Sequence, residues 1–424
     1  MFNKLRQKLI DTEEKKRLAS NILSLGVLQG ANYILPLLTV PYLVRILGPE
    51  YFGLLAFATA TTMYFMLITD YGFNLSATRQ ISIHRQDKDK VDEIFSSVMM
   101  IKTVLMMVSF ALMTLLVFSF EKFSQYWAVY FINFGVVVGQ VLFPVWLFQG
   151  MERMKYVTYL NIGAKLFFTI CIFIFVKEKV DYLLVPLFTA MGFVVAGIWS
   201  LYLVKKEFNV SFGWQSADTL KFQLEEGWHV FFSSIAISLY TISTTFILGL
   251  FTNNIVLGYF SAADKIVQAV KGLYQPVSQA IYPLVGRKIH ENKKAGLAFI
   301  RKTIWILGSG MFLVSSLLFV LADPIVSLLL GNQYQQSVLM LKIMAFLPFI
   351  IALSNMFGVQ TMINLGYKHA FSQILVAAAI LGVGLSLILV PMYEGYGSAS
   401  TMLTVEVFVT VLMWIFLRKK FKDG

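Results

Sequence analysis

The chain has 424 residues, 58% hydrophobic and only 14% charged, with a formal net charge of +12 and a mean hydropathy of +0.72. Soluble domains carry about 25% charged residues, so a large soluble domain is excluded and a polytopic membrane protein is expected. The single Cys171 rules out an intrachain disulfide and a Cys-rich metal site, and the four histidines (His84, His229, His290, His369) lack ligand spacing, so no metal or other cofactor is expected.

Met1–Arg17 reads as a basic amphipathic tail at the cytoplasmic surface. The first apolar run, Ile22–Val44, is too long for a signal peptide and lacks a small-residue cleavage site, so it should remain as the first membrane helix. Windows of about 20 apolar residues, the length that crosses hydrocarbon, recur twelve times. They fall near 20–46, 51–72, 94–119, 125–149, 156–176 and 182–204, then near 228–250, 255–284, 302–322, 335–363, 370–392 and 396–417. The longest connection, around Lys205–Lys221, divides them into six and six. The expected fold class is therefore all-α and polytopic. Its lobes should span 18–208 and 209–424, after a cytoplasmic tail over 1–17.

With the N-terminus inside, about 25 Lys and Arg fall in cytoplasmic segments and about three (Lys122, Lys177, Lys179) outside. This asymmetry puts both termini in the cytoplasm. It also accounts for the basic charge without a nucleic-acid partner. A weak internal repeat lays Leu47–Ala58 on Thr252–Ala263 and matches Gly53 with Gly258. With an even number of helices per half, such repeats run parallel.

The chemistry concentrates in the eighth window. Asp264, Gln268, Lys271, Gln275, Gln279 and Tyr282 recur at spacings of three or four, which a helix gathers on one face. A charge at the bilayer centre costs roughly 2.5–3.5 kcal/mol on insertion scales, so this face should meet protein or a water-filled path. Two readings stand: a polar pathway, or an Asp264–Lys271 pair that only ties helices together.

Three stretches of the first half carry a family likeness. QGANYILPLLTVPYLVRILGPEYFGLLAFATA (Gln29–Ala60), TDYGFNLSATRQIS (Thr69–Ser82) and FPVWLFQGMERMKYV (Phe143–Val157) resemble the Wzx-type flippases. These form the polysaccharide-transport branch of the multidrug/oligosaccharidyl-lipid/polysaccharide exporter superfamily. The resemblance implies movement of undecaprenyl-pyrophosphate-linked O-antigen units across the bacterial inner membrane, and two six-helix lobes around a central cavity worked by alternating access. The O-antigen polymerase and chain-length regulator are the partners it implies, besides the lipid-linked oligosaccharide and the bilayer. Asp264, Asp70 and Glu406 are carboxylates suited to coupling with an H+ or Na+ gradient. Facilitated movement down a gradient maintained by polymerisation is the alternative.

Such a task needs cations for phosphate and amides or aromatics for sugars, in a hydrated path. Cations within or at the edge of the predicted helices are Arg45, Arg79, Lys102, Lys165, Lys265, Lys271 and Lys342; the acids are Asp70, Asp264 and Glu406. Seven against three leaves the positive excess an anionic head group requires. Arg45, at a helix end, also fits simple snorkelling. Asp70 can pair with Arg79 or cap a bent helix. Lys102 and Lys165 stand about ten residues into their helices, which favours a cavity. Lys265 points about 100° away from Asp264. Gln268, Gln275, Asn32 and Gln140 are polar candidates for a cavity wall, with Asn355, Gln360 and Asn364 as further amides that bond sugars or neighbouring helices. Trp127, Trp146, Trp199, Trp228 and Trp414 fall near helix ends, where interfacial anchoring is expected.

The chain contains no phosphate-cradling Gly-Lys-Ser/Thr loop and no His-Glu-x-x-His, so ATP hydrolysis and zinc chemistry are not expected. One rival is a cation-coupled drug exporter of the same superfamily, which would want a more acidic cavity. Another is a polytopic glycosyltransferase or O-antigen polymerase, which would want a large outer loop, whereas the outer connections here are about ten residues or fewer.

Overall fold

A computed structural model describes the backbone of residues 2–422 and the side chains of residues 26–421 apart from 33–34, 233, 236–237, 239–241, 280 and 283. The amphipathic face expected of Met1–Arg17 lies outside the described side chains. All secondary structure among the described residues is helical. In the first half, α1 (Phe2–Asp70) is followed by α2 (Phe73–His84), α3 (Lys88–Ser119), a short α4 (Glu121–Ser124), α5 (Trp127–Leu142), α6 (Val145–Gly150), α7 (Met154–Phe175) and α8 (Leu184–Phe208). The second half holds α9 (Ala217–Thr241), α10 (Ser243–Phe251), α11 (Asn254–Glu291), α12 (Lys293–Val320), α13 (Ala322–Leu329), α14 (Ser337–Met344), α15 (Leu347–Asn355), a π-helical turn (Met356–Ile363) and α16 (Lys368–Lys422).

Among the described residues, eight stretches are long and apolar enough to cross a membrane. Two of them, Gly26–His84 and Lys368–Phe421, each cover two expected spans. The first bends at Gly48, whose φ of 71° suits a residue without Cβ, and the second at Glu394. Of the two expected spans outside these eight, 228–250 is split between α9 and α10, and 255–284 carries the Asp264–Lys271 stripe of α11.

The chain divides into two compact units. One comprises Met1–Thr39 and Thr61–Ile235, the other Val40–Ala60 and Ala236–Gly424. In the first, α5 and α8 pack closely because Gly135 and Gly139 face Ala190 and Phe193, where a Cβ on either glycine would overlap its neighbour. Its core gathers Phe73, Ile81, Phe95, Val98 and Phe148 around Trp146, which is 0% exposed. The interfacial position expected for Trp146 is thus corrected: the Pro144 break turns α6 inward, and Thr78 Oγ1 donates to the Trp146 carbonyl at 3.2 Å. The other four of those tryptophans remain exposed. The first unit also holds the stretch after α8, where Ser211 N donates to Asp92 Oδ1 at 3.0 Å and Gly213 N to Ser96 Oγ at 3.0 Å. In the second unit, Val40–Ala60 lies against α10 and α11. Gly249 receives the Phe57 ring, and Gly53 meets Gly258.

Candidate functional site

The predicted stripe on α11 opens a groove in the second unit. Its lining on that side is Lys271, Gln275, Gln279 and Tyr282, together with Tyr274 and Ser278. Pro348, Ile351 and Asn355 of α15, then Val359 and Gln360 of the π-helical turn, form the facing wall. The cavity volume is about 450 Å³, within the range of small-ligand sites. Asp264 and Gln268 lie one to two helical turns before Lys271, and Gln268 Nε2 donates to Asp264 Oδ1 at 3.3 Å. Among the described residues Lys271 has neither an ion pair nor a hydrogen bond. An intramembrane Asp264–Lys271 pair is therefore absent from this structure.

The wall opposite Lys271 is held by a polar network. Tyr274 OH donates to Asn355 Oδ1 at 2.9 Å, and Ser278 Oγ donates to the same oxygen at 2.7 Å. Gln360 Nε2 donates to the Ser278 carbonyl at 3.0 Å and to Ser278 Oγ at 3.1 Å. Gln360 itself is 0% exposed, and its Oε1 has no partner among the described residues. Buried amides need such bonds, because an unmade one costs about 1–3 kcal/mol. A π-turn within a helix recurs at functional sites. Nothing in the sequence pattern signalled this turn, nor the joining role of Tyr274 and Ser278.

The remaining cations lie elsewhere. Lys102 is 1% exposed in the core of the first unit, its Nζ 3.9 Å from Asp70 Oδ1. The cavity position expected for it gives way to an internal ion pair, because a buried ammonium needs a carboxylate. Arg79, the other partner expected for Asp70, is exposed on α2. Lys165 of α7 donates to Asn32 Oδ1 of α1. Gln140 Oε1 on α5 is buried with no partner among the described residues. In the second unit, Arg45 donates to the Leu328 carbonyl, Gln333 Nε2 donates to the carbonyls of Val44 and Arg45 at 3.1 and 3.2 Å, and Lys342 pairs with Asp323 at 2.6 Å. Lys265 is exposed and Glu406 half-buried on α16.

Residues 18–288 match the family described as polysaccharide biosynthesis protein. The chain belongs to that family. Two similar proteins are described as candidate O-antigen transporters. The one from Escherichia coli (strain K12) is 38% identical over 411 residues, covering 95% of this chain and 97% of the relative. The one from Shigella dysenteriae is 31% identical over 396 residues, covering 93% and 98%. Among solved structures, an inward-facing multidrug resistance MATE family transporter of the MOP superfamily superposes with a TM-score of 0.72 at 13% identity, over 92% of this chain and 95% of that one. The lipid II flippase MurJ in an inward closed conformation gives 0.69 at 13% identity, over 94% and 87%. The two-lobed all-α membrane fold of this polysaccharide-biosynthesis protein is shared with both.

The stretch Trp146–Lys155 packs against α2 and the turn that follows it. Gly150 sits against Ile81, and Arg85 pairs with Glu152 at 2.8 Å. Gln149 and Arg153 remain exposed on the turn. A reciprocal amide pair, Gln80 with Gln223 at 3.0 and 2.9 Å, ties α2 to α9.

Proposed function

We propose that the protein is a flippase that carries undecaprenyl-pyrophosphate-linked oligosaccharide units, O-antigen repeats, from the cytoplasmic to the outer leaflet of the bacterial inner membrane. The observation that carries this reading is the α11 groove, where an unpaired ammonium, Lys271, shares a wall with amides and tyrosines in a protein otherwise built for hydrocarbon. An ammonium without a carboxylate partner is free to make a strong charge-assisted bond to an anion. The amide and hydroxyl groups beside it suit sugar hydroxyls, while the polyprenyl tail stays in lipid.

Transport requires no bond to be made or broken, and the groove's task is to lower the transfer cost of the charged head group. Lys271 meets the pyrophosphate. Asp264, more than a turn away and without an ion pair, answers to the coupling ion, H+ or Na+. The family membership and the names of the two relatives support the substrate class.

The experiment is reconstitution of the full chain in vesicles that hold undecaprenyl-pyrophosphate-linked oligosaccharide in both leaflets. A membrane-impermeant glycosidase then reads the pool that becomes exposed with time. The reading expects protein-dependent exposure of the whole pool, and lipid recovered before the glycosidase is added to be chemically unchanged. Exposure of only the outer half, or a lengthened glycan, contradicts it.

A further inference from the structure

We propose that Arg301, Lys302 and Trp305, on the open face of α12, form a binding site for an anionic glycerophospholipid of the surrounding membrane. The inference goes beyond the flippase reading and does not depend on it. α12 has two unlike faces. Ile300 shares a core cluster with Val285 of α11 and Met356 of the π-turn, and Met311 shares one with Tyr274 of α11 and Ala352 of α15. The opposite face is open: Trp305 is 74% exposed, and Phe312, Leu313 and Val320 are exposed beyond it. At about 100° per residue, Arg301 and Lys302 stand about 40° and 60° to either side of Trp305, so the three share this face. It is turned away from α11 and α15, and hence from the groove of Lys271.

Depth and charge select the ligand. From Trp305 to Val320 the open face runs apolar for about 22 Å, broken only around Ser309, whose hydroxyl is turned back to the Ile306 carbonyl at 3.1 Å. Hydrocarbon covers such a face, and Trp305 then sits at its edge, where tryptophans lie at headgroup level. Arg301 and Lys302, about 4.5–6 Å further along the axis, reach the phosphate layer. Neither has an ion pair or hydrogen bond among the described residues. No free acid stands near them in sequence. From Arg287 to Trp305 there are six Lys and Arg against one acid, Glu291, and that acid pairs with Arg287 at 3.8 Å. Two adjacent unneutralised cations at headgroup depth favour a phosphate. A phospholipid held there lays its acyl chains along Trp305, Phe312 and Leu313, which meets the charge and the apolar wall together. Because this face is open to the bilayer, mass action fills it with the anionic phospholipid in excess there.

The test reconstitutes the full chain in vesicles of phosphatidylcholine with a varied fraction of phosphatidylglycerol. One lipid or the other carries brominated acyl chains, which quench tryptophan on contact. The part of the quenching lost in Trp305→Phe reports the site. At about fivefold for each cation, phosphatidylglycerol should be preferred over phosphatidylcholine about 25-fold at Trp305. Arg301→Gln or Lys302→Gln should cut that preference about fivefold, and the double variant should bring it to within about twofold of unity. In pure phosphatidylcholine the double variant should keep the wild-type thermal midpoint, since neither side chain has a partner to lose. Lys294→Gln removes an exposed cation of the same face about 16 Å from Trp305 and should leave the preference within about twofold of the wild type. A wild-type preference below about twofold, or a loss in Lys294→Gln as large as in Arg301→Gln, overturns the site in favour of diffuse surface charge. Unlabelled undecaprenyl pyrophosphate should relieve the quenching no more than an equal fraction of unlabelled phosphatidylglycerol. Equal relief at about a tenth of that fraction would assign the face to the lipid-linked substrate and overturn the phospholipid assignment.

Discussion

Gly53 and Gly258 meet backbone to backbone, and they are the two residues that the internal repeat places in register. A Cβ on Gly53 would lie 2.6 Å from Gly258 N and overlap the Asn254 carbonyl; one on Gly258 would overlap the Pro49 carbonyl. Pro49 and Asn254 are themselves repeat equivalents, so each helix offers the other the same pair of groups. The contact is reciprocal, and no side chain separates the two backbones.

Either glycine should therefore be intolerant of a methyl group. Gly53→Ala or Gly258→Ala is expected to cost about 1–3 kcal/mol, the usual range for overpacking, read as a lower thermal midpoint in detergent. Because both changes strain one contact, the double variant should be much less than additive. Additive losses would mean the two sites do not share a contact.

Lys102 and Asp70 should behave as a structural pair. Removing one partner leaves a buried charge, worth about 3–5 kcal/mol, so Lys102→Met alone should lower membrane abundance sharply. Lys102→Met with Asp70→Asn should restore abundance and transport together. Normal abundance with lost transport in Lys102→Met would assign Lys102 to the substrate path instead. By contrast, the partly exposed Lys342–Asp323 pair is expected to contribute at most about 1 kcal/mol.

The helical plan was readable because hydrocarbon demands about 20 apolar residues at a time, and the stripe on α11 because a 3.6-residue period sorts polar from apolar positions within one helix. Lys271, Gln275, Gln279 and Tyr282 do line one groove. What could not be read were long-range partners. Lys102 looks like a cavity cation until Asp70, 32 positions earlier, is brought beside it. Trp146 looks interfacial until the break at Pro144 turns it into the core. The π-turn leaves no mark either, since its apolar residues satisfy an α-helix equally well, and only Thr361 Oγ1 bonding back to the Met356 carbonyl at 2.7 Å betrays it.

Topology gives a prediction independent of the groove. Reporter fusions after Glu121, Lys179 and Asp323 should be active outside, and those after Lys90, Lys206 and Lys294 inside. A consistent inversion would reverse the direction assigned to transport.

The central claim is that Lys271 holds the anionic head group while Asp264, about 10.5 Å away along α11, serves the coupling ion. The most direct measurement compares membrane abundance, binding of undecaprenyl-pyrophosphate-linked oligosaccharide and its transport for Lys271→Ala, Asp264→Asn and the charge-swapped double variant. Lys271→Ala should weaken binding about ten- to a hundredfold, the cost of a lost charged hydrogen bond. Asp264→Asn should spare binding and alter the dependence of transport on pH or Na+. Recovery of abundance, binding and transport in the Asp264→Lys, Lys271→Asp swap would contradict this division of labour.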